Sequence, residues 1–333
     1  MSSLRILGED DVRALIDTDT ALALARDQFL DQAQGLSALS TPAAIDLDAR
    51  ALGGPRFKFK AATVSRLGAS GLRMIRRATP QADASHYCAV YRHADSALSG
   101  LVSEVWLSRI RTAAFGAVVA ARLANPGPVV IALLGCGAIA DEIVPMFARV
   151  LQVTELRVHS RSPDKLAAFV ARHAATCAFA LRAEAACERA LAGADVVVTL
   201  TAATIPLIFA PMLKPGAVVC SMGNDNELDY GVLAAAQRLV VDDADFASEA
   251  GDGRAWIAQG HLSVDLFNAR IDALACEVVA GTQPGRLAVS DRIVALIQGM
   301  AIGDVAFAAQ ALNEAERRNL GVVVELPSGT KPA

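Results

Sequence analysis

"VVIALLGCGAIADEIVPMF", Val129 to Phe147, runs from an unbroken apolar stretch through three small residues into a helical pattern. Gly135 closes the apolar run, Gly137 follows two places on, and Ala140 completes a G-x-G-x-x-A frame where the helix begins. Glycines in such a turn have two explanations: sterics alone, or close approach of the backbone to a pyrophosphate bound by helix-terminal N–H groups. The surroundings decide between them. More strand–helix alternation follows, and a second strand, "ELRVHS", ends about 20 residues on, the spacing of a dinucleotide-binding unit. The stretch reads as a nucleotide-binding turn, with Gly135, Gly137, Ala138 and Ile139 at the cofactor.

Downstream, "ADVVVTLT", "AVVCSMG" and "RLVVDD" continue the series as β-branched runs between Ala-rich helical segments. Continuous apolar strands of this kind belong to a buried parallel sheet, so the fold class is α/β with a Rossmann-type doubly wound sheet. Upstream the rhythm differs. Asp11 is placed to cap a first helix containing Val12, Leu15 and Ile16, and Leu22, Ala25 and Phe29 repeat the helical spacing. Then "PRFKFKAATV", "GLRMIRRATP", "HYCAVYRHAD" and "SGLVSEVWL" alternate charged and apolar residues, as an antiparallel sheet with one polar face does. A helix, "SRIRTAAFGAVVAARLAN", ends at "NPGP", which marks the domain boundary. The tail from "VSDRIVALIQGMAIGDVAF" to "ERRNLG" reads as one or two helices packing back on the first domain. The expected division is 126–299 for the nucleotide domain. Residues 1–125 with 300–333 form an α+β substrate-binding and dimerisation domain.

Composition excludes several function classes. Of 333 residues, 53% are hydrophobic and 20% charged, with a net charge of −4 and no Lys/Arg block, so nucleic acid has no electrostatic footprint here. The six cysteines are scattered without a C-x-x-C pair, which favours reduced core thiols in a cytoplasmic protein over a metal site. The start, "MSSLRILGEDDVRALI", lacks the pattern of a signal peptide, and no run reaches the roughly 18 uncharged apolar residues of a membrane span.

The end of the second strand bears on cofactor choice. An NAD site usually places Asp or Glu there, against the ribose hydroxyls. "VHSRSPDK" offers Ser160, Arg161 and Ser162 instead, and hydroxyls with a guanidinium suit a 2′-phosphate, favouring NADP(H) over NAD(H). The competing reading of Arg161 is a solvated loop arginine.

"SRIRTAA", "LLGCGAIA", "ADVVVTLTAATIPLI", "LKPGAVVCSMGND" and "GMAIGDVAFAAQAL" occur in the order and spacing of the ornithine cyclodeaminase/mu-crystallin family, which this chain resembles over nearly its whole length. The resemblance implies a homodimer joined through the antiparallel domains, and chemistry at a carbon–nitrogen bond beside a carboxylate, using a nicotinamide hydride. By position, Arg111 matches the arginine that grips the substrate carboxylate, a role suited to a planar bidentate donor. Thr112 matches the threonine at the cofactor phosphate, and Thr201, Met222 and Gly223 join the implied cofactor set. Asp225 falls where family members place an acid against the substrate amine. The segment after it is shortened, so Asn224 or Asn226 competes for the position.

Two departures from the family stand out. An early arginine after proline is missing in "STPAAIDL", and a lysine in a G-x-K context is replaced by Arg73 in "GLRMIRR". Arginine holds a carboxylate but its pKa is too high to shuttle a proton. Lys58 and Lys60 share one strand face and either can supply that proton; both can equally be solvated strand lysines. The expected function is a nicotinamide-dependent imine reductase or amino-acid dehydrogenase. A redox-neutral ornithine- or lysine-type cyclodeaminase and a non-catalytic crystallin-like binder are the alternatives.

Overall fold

Strong periodicity and turn chemistry account for most of the element order. A computed structural model describes residues 2–76, 85–223 and 225–326, so the end of "GLRMIRRATP" and the Asn224 alternative lie outside the described residues. In chain order the first elements are β1 (Ser2–Leu7), α1 (Glu9–Leu15), α2 (Thr18–Ala33), β2 (Ser37–Leu39), β3 (Ile45–Asp48), β4 (Arg56–Val64), β5 (Ala69–Arg76), β6 (Ser85–Arg92) and β7 (Leu98–Ser103). Next come α3 (Leu107–Leu123), β8 (Pro128–Leu134), α4 (Ala140–Val150), β9 (Gln152–His159), α5 (Pro163–His173), β10 (Ala180–Glu184), α6 (Cys187–Leu191), β11 (Val196–Thr199) and β12 (Val218–Ser221). The last are α7 (Tyr230–Ala235), β13 (Arg238–Val241), α8 (Ala244–Glu249), α9 (Gly251–Ala258), α10 (Val264–Arg270), β14 (Ala273–Leu274), α11 (Ala275–Ala280), β15 (Ile293–Leu296), α12 (Ala301–Arg318) and β16 (Val322–Leu326). The chain divides into two units, Met1–Arg111 with Met300–Ala333, and Thr112–Gly299.

The first unit is one sheet in the order β16-β1-β7-β6-β5-β4-β2, with β3 also on β4. Strands β4 to β7 pair antiparallel and β1 joins β7 in parallel. Period-2 alternation sends Lys60, Ala62 and Val64 of β4, Ala69, Gly71 and Arg73 of β5, and Cys88 and Val90 of β6 to one buried face. Helix α12 covers that face and is itself buried along most of its length. Its fit depends on missing side chains: a Cβ on Gly71 would come within 2.9 Å of Val305 Cγ2, and one on Gly100 would collide with Leu312. Asp11 does not cap α1. Strand β1 runs to Leu7, so the helix starts after Gly8, and Asp11, three residues into the turn, accepts the Gly8 N–H at 2.9 Å.

The second unit is an eight-stranded sheet in the order β10-β9-β8-β11-β12-β15-β13-β14, parallel throughout. The chain winds outward from β8 through β9 to β10, then returns to β11 on the other side of β8. That reversal creates the switch point where open α/β sheets bind ligands. Ile293–Leu296 corrects the helical reading of the tail. Its four residues are all buried and hydrogen-bonded on both edges, between β12 and β13. A short apolar run cannot be told from a helix segment by periodicity, and here two flanking strands decide it. Among the described residues no helix is long and apolar enough to cross a membrane.

Candidate active site

In the second unit, β8 delivers Gly135 to the switch point. Its φ of +105° is a left-handed conformation suited to glycine, and a Cβ there would lie 2.7 Å from the Leu200 carbonyl at the end of β11. Gly137 differs: it is exposed, and nothing lies within 4 Å of where its Cβ would be. Helix α4 then starts after Ile139 with no side chain capping its amides. A glycine required by packing, a glycine beside open space and an uncapped helix start together fit a bound pyrophosphate.

At the end of β9, Ser160 Oγ accepts the Ser162 N–H at 3.4 Å, and Ser162 caps α5 by accepting from the Lys165 N–H. Arg161 between them is exposed and makes no hydrogen bond or ion pair among the described residues. Thr112 is buried in α3. Met222 is buried with its thioether against Gly116, where a Cβ would come within 2.6 Å of the sulfur. Asp225 is half-exposed and lies 3.3 Å from Arg254 Nη2, whereas Asn226 is buried and donates its N–H to the Ala203 carbonyl.

In the first unit, the charged end of the buried sheet face meets the start of α12. Asp304, 0% exposed, accepts from Arg111 Nε at 2.7 Å and from Arg73 Nη1 at 3.2 Å. Arg73 spends its other nitrogens nearby, with Nε 2.6 Å from Glu104 Oε2 and Nη2 3.5 Å from His86 Nδ1. Glu104 Oε1 has no hydrogen-bond partner among the described residues, and the Arg73 guanidinium is the main group that offsets the burial of its carboxyl. Among the described residues Arg111 is committed only through Nε, which leaves its outer guanidinium edge for a ligand.

Lys60 belongs to the same cluster, and Lys58 does not share its burial: Lys58 is part-exposed and 3.5 Å from Asp46 Oδ2. Burial pushes the Lys60 ammonium down to about 7, partly opposed by Asp304 and reinforced by Arg111 and Arg73. Burial also raises Glu104 above the ordinary carboxylate range in spite of Arg73. For Asp304 burial works in the same direction, but Arg111, Arg73 and Lys60 outweigh it and hold the carboxyl low. Burial, with Arg73 adding to it, pushes His86 down to about 4, so its imidazole is neutral near pH 7.

A family model described as "Ornithine cyclodeaminase/mu-crystallin family" matches residues 91–319. The chain belongs to this family. An uncharacterized cyclodeaminase of Sinorhizobium fredii is 31% identical over 229 residues, 68% of this chain and 68% of that protein. The ketimine reductase mu-crystallin of Mus musculus is 31% identical over 200 residues, 59% of this chain and 58% of its own. Among solved structures, an archaeal alanine dehydrogenase dimer with bound NAD superposes with a TM-score of 0.87, covering 97% of this chain and 99% of that one. At 23% identity the superposition speaks for the fold.

In this ornithine cyclodeaminase/mu-crystallin family member Lys60, Arg73 and Arg111 lie in one buried cluster, with Lys58 outside it, and the cluster includes acids that the sequence did not single out. Asp304 and Glu104 complete the first cluster, and Glu227 and Asp252 lie buried in the second unit. The signal was available for Asp304, a lone acid inside the apolar run "GMAIGDVAFAAQAL". Glu227 in "NELDY" and Asp252 in "EAGDGRAW" carry no comparable signal, because flanking polar residues disguise them.

Proposed function

We propose that the protein is a nicotinamide-dependent oxidoreductase acting on a carbon–nitrogen bond next to a carboxylate, as an imine reductase or amino-acid dehydrogenase. The observation that carries this reading is Arg111, oriented through Nε by Asp304 with its outer edge uncommitted among the described residues. Lys60, Arg73 and Arg111 face Glu104 and Asp304 away from bulk water, an excess of cations that a substrate carboxylate would offset. Arg111 binds that carboxylate, while Arg73, ion-paired to Glu104 and Asp304, backs it electrostatically. Lys60, poised near neutrality, holds or donates the proton at the substrate nitrogen. Lys58, facing Asp46, gives up that assignment. Asp225 is assigned the contact with the substrate amine.

Gly135, Gly137, Ala138, Ile139 and Thr112 would hold the cofactor phosphates, with Thr201, Met222 and Gly223 at its other contacts. The bound nicotinamide supplies or accepts the hydride. Ser160, exposed Arg161 and Ser162 favour a 2′-phosphate, hence NADP(H). The outer sheet face leaves Leu72, Tyr87 and Tyr91 exposed, which supports a homodimer through the first unit. The free thiols fit a reducing, cytoplasmic location.

The test follows nicotinamide absorbance with NADPH and NADH against 2-keto acids plus ammonia or amines and against cyclic 2-imino acids. Ornithine and lysine are assayed in parallel for ammonia release. Oxidation of the reduced cofactor by an imino acid supports the reading. Ammonia release without net cofactor turnover would replace it with a cyclodeaminase, and cofactor binding without either reaction would leave a non-catalytic binder.

A further inference from the structure

Two buried carboxylates of the second unit have no part in the chemistry above. Glu227 Oε1 accepts the Thr201 N–H at 2.7 Å and the Thr201 hydroxyl at 2.6 Å, and Oε2 accepts the Thr199 hydroxyl at 2.7 Å. Asp252, in the first turn of α9, accepts the N–H groups of Glu227 and Leu228 on Oδ1 at 2.7 and 2.9 Å, and the Ser221 hydroxyl on Oδ2 at 2.6 Å. The donors are the ends of β11 and β12 and the loop that leaves them. Gly223 closes the arrangement: a Cβ there would collide with the Glu227 carboxylate, so this glycine is required by Glu227.

Among the described residues no lysine or arginine pairs with either acid. Burying carboxylates without cations is costly, and a role in packing alone would be met more cheaply by apolar residues of similar volume. What an apolar residue cannot do is fix several N–H and O–H groups at once. Helix α9 also carries Arg254, 3.3 Å from Asp225, so the same helix meets the chain at Asp225 and at Glu227–Leu228.

We propose that Glu227 and Asp252 are positioning residues, which set the backbone of Thr201 and Gly223 to receive the cofactor and hold the Asp225 loop in place. The proposal rests on the nicotinamide-binding reading. Neither acid touches the reacting atoms. Glu227 acts on the strand ends, and Asp252 acts on Glu227 through its backbone N–H.

The experiment measures the dissociation constant of NADPH and NADH by fluorescence titration, with hydrogen exchange of the 199–203 and 222–228 segments. Glu227→Gln turns an acceptor toward Thr201 into a donor; it should weaken cofactor binding by about tenfold or more and speed exchange in both segments. Asp252→Asn keeps an oxygen that can accept from the Glu227 and Leu228 N–H groups and should weaken binding about threefold. Val197→Ala opens a cavity in β11 and lowers stability, yet should change cofactor affinity less than about twofold. If both acid variants bind cofactor like Val197→Ala, the proposal is overturned while the functional reading stands. If the native protein binds neither cofactor, both fall.

Discussion

Arg111 and Asp304, 193 residues apart in the chain, meet at 2.7 Å with both side chains buried. The acid grips only Nε, so it aims the guanidinium without consuming its outer edge. Arg111→Lys keeps the charge and loses that geometry. Leaving a charge-assisted pair imperfect should cost about 2–3 kcal/mol, and so lower kcat/KM for the acid substrate roughly 30- to 150-fold. Cofactor affinity should stay nearly constant. A loss within about twofold would make Arg111 structural.

Lys60 links activity and stability to pH. Its pKa falls from an ordinary 10.5 to about 7 on folding, so the folded state penalises the ammonium. The penalty is full below pH 7 and fades as pH rises toward 10.5. Lys60→Met should therefore be more stable than the native protein at pH 6 by an amount on the order of a few kcal/mol. The difference should close by pH 10.5, measured by urea unfolding across that range. In the same variant the limb of the kcat/KM profile near pH 7 should disappear.

The two glycines of the nucleotide turn should separate folding from binding. Gly135→Ala must accommodate a left-handed φ and a contact with the Leu200 carbonyl, which should cost on the order of 1–3 kcal/mol in stability. Gly137→Ala meets no protein atom within 4 Å and should leave thermal stability nearly unchanged. Its effect should appear as weakened cofactor binding in a titration. Unchanged affinity would mean that no pyrophosphate approaches Gly137.

Arg161→Asp tests the choice of dinucleotide. An exposed arginine with no partner among the described residues can be reversed in charge with little effect on folding, so the comparison of affinities is clean. NADPH binding should weaken more than NADH binding. Equal affinities before and after the change would return Arg161 to the role of a solvated loop residue.

Local patterns carried the architecture. Continuous β-branched runs in "ADVVVTLT" and "AVVCSMG", set between Ala-rich helical segments, read as strands buried on both faces, and alternation in "FKFKAATV" sends Lys58 and Lys60 to one side of a strand. The glycine frame at Gly135 depends on neighbours in sequence, so it too was legible. The pairing of charges was not. Which lysine is buried depends on where α12 crosses the sheet: it covers Lys60 and leaves Lys58 to Asp46. Asp304 reaches Arg73 and Arg111 only because the chain returns to the first unit after completing the second. Ile293–Leu296 became a strand because β12 and β13 offered hydrogen bonds on both edges, a decision made by partners distant in sequence. Periodicity is a property of neighbours along the chain, whereas burial and electrostatic pairing are properties of neighbours in space, and the candidate site consists almost wholly of the second kind.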